Sequence, residues 1–321
     1  MSTKPHPMRR LIHPILLLPW SALALVVGWL VTGCGSRPST PGGIPVKVIQ
    51  NKGSDTMVNL AQAWAEAYRK VRPDVSVEVS GGGSGVGIAA LIRGAVDVAN
   101  SSRDLKPREL EEARASTGKE VQTFVVGFDA LAVYVHPSNP LEEITLEQLE
   151  EIYAEGGRIT RWSDLGVQMP EPRFDRIIRI SRQSSSGTYE FFREHVLRNR
   201  DFKLGSNDMN GSKEVVELVA TTPGAIGYSG MGYANPRVKM LRVARKKGEP
   251  AYAPTMENTV TRRYPIARSL LMCVLGEPEG EVKAYLDWVR SDAGQQLVED
   301  NGFVPIPHTE RTRPAPVGAG N

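Results

Sequence analysis

Apolar positions along the chain recur with two spacings, and these divide it into strands and helices. Met57, Leu60, Ala61, Trp64, Tyr68 and Val71 fall at helical spacing and predict an amphipathic helix that ends before Pro73. Residues 46–49 ahead of it predict a short strand, and residues 75–79 behind it alternate as another. A glycine-rich run over 81–87 then leads into a helical stretch at 88–92, and residues 96–99 read as a third strand. Three such units in succession predict an α/β fold with a parallel sheet, where ligands collect at the carboxyl ends of strands.

The second part of the chain is patterned differently. Residues 121–135 form the longest β-like run, long enough for a strand that leaves one domain and enters another. A short helix is expected at 145–153, a turn at Trp162-Ser163-Asp164-Leu165-Gly166 and a strand at 177–180. A helix with Tyr189, Phe192 and Val196 on one side runs to about Leu197, and Ser212 is expected to cap another through Val219. Residues 222–228 suggest a turn and short strand, and residues 264–275 an apolar strand. Val282, Tyr285, Leu286, Val289 and Leu297 predict one final helix, and no internal repeat is evident.

The N-terminus carries a separate message. Met8-Arg9-Arg10 precedes an apolar run from Leu11 to Leu30, followed by Val31-Thr32-Gly33-Cys34. Residues 1–33 therefore read as a signal peptide, and the tetrapeptide resembles a bacterial lipobox, with Cys34 acylated as the first mature residue. A permanent membrane span is the alternative reading of the same run. Residues 34–45, rich in Gly, Pro and Ser, predict a flexible tether. Residues 308–321, rich in Pro, Gly and Arg, predict a disordered tail. The formal charge of +3 resides in Lys4, Arg9 and Arg10 of the leader, which has no acid. A mature chain near neutrality offers no charge excess for nucleic acid. The only other cysteine, Cys273, lies in an apolar strand and is expected to be a buried small hydrophobe, so no disulfide is expected.

Candidate chemistry gathers at the turns. Ser54 and Thr56, Ser84, Ser101 and Ser102, and Ser184, Ser186 and Thr188 place hydroxyls after successive strands, with Arg103 and Arg182 among them. Helix starts expose unpaired N–H groups that attract anions, and a guanidinium adds a planar fork suited to oxyanions. His136 precedes a proline and His195 lies within a helix, so no base is evident to make a serine nucleophilic. No His/Cys cluster suggests a metal, and no cofactor is expected. Gly85-Val86-Gly87-Ile88-Ala89-Ala90 also fits a relaxed dinucleotide fingerprint, with Asp104 as the acidic partner, but Asp104 follows Ser101-Ser102-Arg103 and does not stand at the strand tip. A P-loop and a G-x-S-x-G elbow are both absent.

Taken together, Gly53-Ser54-Asp55-Thr56-Met57, Gly83-Ser84-Gly85-Val86-Gly87, Ala99-Asn100-Ser101-Ser102-Arg103, Arg182-Gln183-Ser184-Ser185-Ser186-Gly187-Thr188 and Gly224-Ala225-Ile226-Gly227-Tyr228 resemble the phosphate-binding proteins of bacterial phosphate ABC transporters. Ser291-Asp292-Ala293-Gly294-Gln295-Gln296 and Gly302-Phe303-Val304-Pro305 are also similar. The resemblance covers nearly all of residues 46–307 and implies a two-lobed type II periplasmic-binding-protein fold with mixed sheets, flanking helices and ligand in the interlobe cleft. Lobe I would comprise 46–128 and 261–307, and lobe II 129–260. Ser54, Thr56, Met57, Ser84, Ser102 and Arg103 are the expected phosphate contacts on one side, and Arg182, Ser186, Gly187 and Thr188 those on the other. In some members an aspartate that accepts the phosphate proton stands where this chain has Ser102. Asp55 or Asp104 could supply that acceptor here.

The implied function is a lipid-anchored, extracytoplasmic, monomeric binding protein that delivers inorganic phosphate to ABC permease subunits. Sulfate or molybdate capture, phosphate sensing without transport, and an exported hydrolase using Ser84 or Ser186 are the alternatives.

Overall fold

The computed structural model describes residues 46–311. The expected signal peptide, the Cys34 tether and residues 312–321 lie outside the described residues. The first part of the chain runs β1 (Lys47–Gly53), α1 (Val58–Val71), β2 (Val75–Ser80), α2 (Ser84–Ile92), β3 (Val98–Ser101), α3 (Pro107–Thr117) and β4 (Val121–Val135). It continues through β5 (Glu143–Thr145), α4 (Leu146–Tyr153), β6 (Ile178–Arg182), α5 (Gly187–His195), β7 (Asn207–Met209), α6 (Ser212–Ala220) and β8 (Ala225–Gly230). The last part comprises β9 (Lys239–Met240), β10 (Arg242–Ala244), α7 (Met256–Val260), β11 (Ala267–Leu275), α8 (Gly280–Val289) and α9 (Asp292–Asp300).

The main sheet has the order β2-β1-β3-β11-β4-β8-β6-β7, with β9 also paired to β4. It is mixed, as the family resemblance implies, and the three strand–turn–helix units supply its parallel part. β1 pairs in parallel with β2 and β3, whereas β11 runs antiparallel to both β3 and β4. The reason is β11, which returns from the far end of the chain and inserts between β3 and β4.

β4 joins two hydrophobic centres. Its residues Val121–Ala130 pair with β11, and Leu131–Val135 pair with β8. Alternation along the strand sends Phe124 and Val126 to a core with Leu60, Trp64, Tyr68 and Tyr285. Farther on, Leu131, Val133 and Val135 face a second core with Leu149, Tyr153, Trp162, Phe192 and Tyr228. Ala132 and Tyr134 face α6 through Val215 and Val219 on the opposite side. Tyr264 and Ile266 belong to the second core, so the chain re-crosses just before β11.

Several local expectations meet a different outcome. The expected final helix is two, α8 and α9, because the Ser291 hydroxyl stops one and caps the next by accepting the Gly294 N–H. Ser212 is the first residue within α6 and not its cap, which is Gly211. At the start of α1, Ser54 and Asp55 give their side chains to tertiary partners, and Met57 stands at the cap position without a side-chain hydrogen bond. Helix α3 was not anticipated: its face is mostly polar, and only Ala113 is buried. Residues 308–310, the start of the expected disordered tail, form one 3-10 turn. Cys273 is fully buried, and burial pushes its thiol pKa up to about 12.

Trp64 fills the first core and donates its indole N–H to the Gly294 carbonyl at 2.8 Å, tying α1 to α9. Trp64→Ala should lower the unfolding free energy by about 3–5 kcal/mol. Urea titration followed by circular dichroism measures this, and a loss below about 1 kcal/mol would show that the core repacks around the gap.

Candidate functional site

The turns after β1, β2, β3 and β6 converge on one buried cluster of hydroxyls. Ser54 donates to Ser102 Oγ at 2.8 Å, and Ser84 Oγ lies 3.4 Å from the same atom. The Ser102 backbone N–H donates to Ser84 Oγ at 3.1 Å. Thr56, just before α1, shares a 2.9 Å hydrogen bond with Thr188 of α5. Ser186 caps α5 by accepting the Thr188 N–H at 3.1 Å. The expected residues Ser54, Thr56, Ser84, Ser102, Ser186 and Thr188 are therefore brought together, and all are buried.

Glycines let the turns meet. A Cβ on Gly187 would fall 2.8 Å from Ser102 Oγ and closer still to Ser84 Oγ. Gly83, at φ +97°, presses on the backbone of Ser185, a conformation and a clearance that exclude a side chain. Gly85 N–H donates to the Ser185 carbonyl at 3.1 Å, and Ser185 Oγ donates to the Gly82 carbonyl at the same distance. An open apolar groove of about 480 Å³, lined by Met256, Val260, Val304 and Ile306, contains none of these residues.

Arg182 is buried at the end of β6. It donates to Ser212 Oγ at 3.1 Å, to the Asn210 carbonyl at 3.0 Å and to Asp55 Oδ2 at 3.3 Å. Burial lowers its pKa, and the neighbouring Asp55 carboxylate opposes that shift. Asp55 also accepts the Gly82 N–H at 2.8 Å, which places this carboxylate inside the cluster. Asp104, the other candidate acceptor, is exposed.

Two expected residues contribute differently. Arg103 turns to Glu109, with two hydrogen bonds at 2.9 and 2.7 Å, and to the Asp104 carbonyl. Its guanidinium hydrogen-bonds none of the clustered hydroxyls. Met57 packs its side chain in the first core, and its N–H donates to the Ser54 carbonyl at 3.0 Å.

The arrangement also contains a pair that sequence reasoning missed. Arg268 of β11 and Asp129 of β4 are cross-strand partners and form a buried ion pair, with Nε at 3.0 Å and one Nη at 2.8 Å from Oδ2. Arg268 also donates to Thr188 Oγ1 at 3.0 Å, Thr56 Oγ1 at 3.3 Å and the Ser102 carbonyl at 3.1 Å. Burial raises the Asp129 pKa, against the pull of Arg268 and the Met231 N–H. The available signal was a single charged residue inside each of two otherwise uncharged strands, since such charges are seldom buried without a partner.

Chemically, this is a set of hydroxyl and guanidinium donors with the carboxylates of Asp55 and Asp129 paired to its arginines. Among the described residues, His195 is engaged with the Phe191 carbonyl and His136 with Ser138. No group of three or more His, Cys, Asp or Glu is placed to hold a metal among the described residues.

Comparison with known proteins agrees with this chemistry. A model of the PBP superfamily domain matches residues 38–293. The phosphate-binding protein PstS of Pseudomonas aeruginosa is 32% identical over 269 residues, spanning 81% of this chain and 83% of that protein. The chain belongs to this family of phosphate-binding proteins. PstS of Bacillus subtilis is 31% identical over 265 residues, covering 82% of each chain. The family is named for binding and not for catalysis. Among solved structures, a phosphate-bound protein from Clostridium perfringens, assigned as a phosphate ABC transporter substrate-binding protein, superimposes with a TM-score of 0.71 at 28% identity. That match covers 81% of this chain and 100% of the other. An ABC-type phosphate transport receptor from Vibrio cholerae gives 0.64 at 26% identity, with the same coverage of each chain. The fold is the expected mixed α/β type II periplasmic-binding-protein fold, a curled mixed sheet flanked by helices.

Gly187→Ala should force the α5 turn away from Ser84 and Ser102. Hydrogen exchange should quicken at the amides of residues 84–87 and 186–190 while core amides of α1 keep their protection. Unchanged exchange at both turns would mean that the added methyl is absorbed without separating them.

Proposed function

We propose that this chain is an extracytoplasmic, lipid-anchored binding protein that captures inorganic phosphate and hands it to the permease subunits of an ABC transporter. One observation carries the reading: the donor-rich starts of α1, α2 and α5, from two separate hydrophobic centres, meet at a single buried cluster. The relatives named as phosphate-binding proteins and the phosphate-bound Clostridium structure support phosphate as the anion.

In this reading residues 46–128 with 267–307 form one lobe and 129–266 the other, the bound lying past Tyr264 and Ile266 because both pack in the second core. Phosphate takes the place of contacts that the hydroxyls make with one another. Thr56 and Ser84 bind from the first lobe, and Arg182, Ser186, Gly187 and Thr188 bind from the second. Ser54 and Ser102 complete the hydroxyl set, while Arg103 acts through its bond to Glu109 and Met57 through its place in the core. Cation and hydroxyl bonds to a charged acceptor are worth more than the neutral contacts they replace.

Isothermal titration with phosphate, sulfate, arsenate and molybdate tests the assignment. Arg182→Ala should weaken phosphate binding at least tenfold, a loss of roughly 2 kcal/mol. An unchanged affinity would remove Arg182 from the site. Attachment is tested separately: Cys34→Ser should move the chain from the membrane fraction to the soluble fraction, and retention in the membrane would refute acylation at Cys34.

A further inference from the structure

The fixed charges around the cluster cancel in pairs. Arg182 faces Asp55, Arg103 faces Glu109, and Arg268 faces Asp129. The third pair differs from the others in where its remaining donors point. A guanidinium has five N–H groups, and Arg268 directs two at Asp129, one at the Ser102 carbonyl and one each at Thr56 Oγ1 and Thr188 Oγ1. The two threonines come from opposite hydrophobic centres, and they are hydroxyls to which the binding reading assigns the anion. The ring of Phe191, on α5, lies 5.7 Å from the Arg268 guanidinium, within cation–π reach.

We propose, building on the phosphate-binding reading, that Arg268 is a second guanidinium of the anion site and that Asp129 is its positioning residue. When an oxyanion enters between Thr56 and Thr188, the two donors that Arg268 gives to neutral hydroxyls pass to charged oxygens. That exchange strengthens both bonds. The Asp129–Arg268 cross-strand register holds the fork at a fixed depth, since β4 and β11 are paired on both sides of it. The Asp129 carboxylate also offsets the charge of Arg268. The protein thus holds a cation over the anion without presenting a net positive site to every anion in its surroundings. Burial in a low-dielectric interior makes this offset large.

The two residues are separable by charge. Arg268→Gln with Asp129→Asn keeps a hydrogen-bonding pair and leaves the net charge unchanged. It should weaken phosphate at least tenfold by isothermal titration, whereas a pair serving only the fold would leave the affinity within threefold. Asp129→Asn alone leaves the Arg268 charge without its carboxylate and should tighten sulfate binding about tenfold. A purely structural pair would give the opposite sign, a loss of affinity alongside a loss of thermal stability. If Asp129→Asn fails to fold, the charge-neutral double variant decides. Wild-type protein that binds none of the tested oxyanions would overturn the binding reading itself. Wild-type binding together with an unaffected double variant would overturn only the role given to Arg268.

Discussion

Everything in this molecule hangs from the ladder of β4. One strand of 15 residues belongs to two hydrophobic centres, pairing with β11 along its first two-thirds and with β8 along the rest. Backbone hydrogen bonds in such a ladder are made as a set, so the register of one centre constrains that of the other. The helix starts can meet only because this strand and the returning β11 deliver them from opposite sides. Asp129 and Arg268 sit on these two strands, at the point where pairing passes from one centre to the other.

Burying charge at such a point has a cost. An isolated guanidinium away from water is strongly unfavourable, and here each of the three has a carboxylate within 3.3 Å. This pairing explains why a cluster with three arginines carries no large local excess of positive charge. It also distributes the work: Arg103 stiffens the turn after β3 through Glu109, while Arg182 joins the β6 turn to the β1 turn through Asp55. Neutral hydroxyls then line the space between them, and they can donate to an anion or accept from one another with little change in cost.

The periodicity of the chain was enough to locate α1, the strands that flank it, and the long β-like run over 121–135. The hydroxyl turns were legible as well, because serine, threonine and glycine recur at strand ends where neither packing nor catalysis calls for them. Cross-strand register was not legible. Asp129 and Arg268 are 139 positions apart, and nothing local to either states that β11 inserts beside β4. The partner of Arg103 was not legible for a related reason: its neighbour in space, Glu109, lies on α3, a helix whose polar surface hid it from hydrophobic patterning. The break between α8 and α9 was hidden by the opposite effect, since apolar positions continue in phase across Ser291.

Gly83 gives the contact between the two sides a hard limit. Where it presses on Ser185, backbone meets backbone with no side chain between. Side chains yield by changing rotamer, but peptide planes do not. The approach of the two turns therefore ends on rigid matter, as a jaw ends on its stop. The gap left for a guest is then a dimension of the main chain, so mutation of the lining side chains alters how tightly a guest is held more readily than how large a guest is admitted.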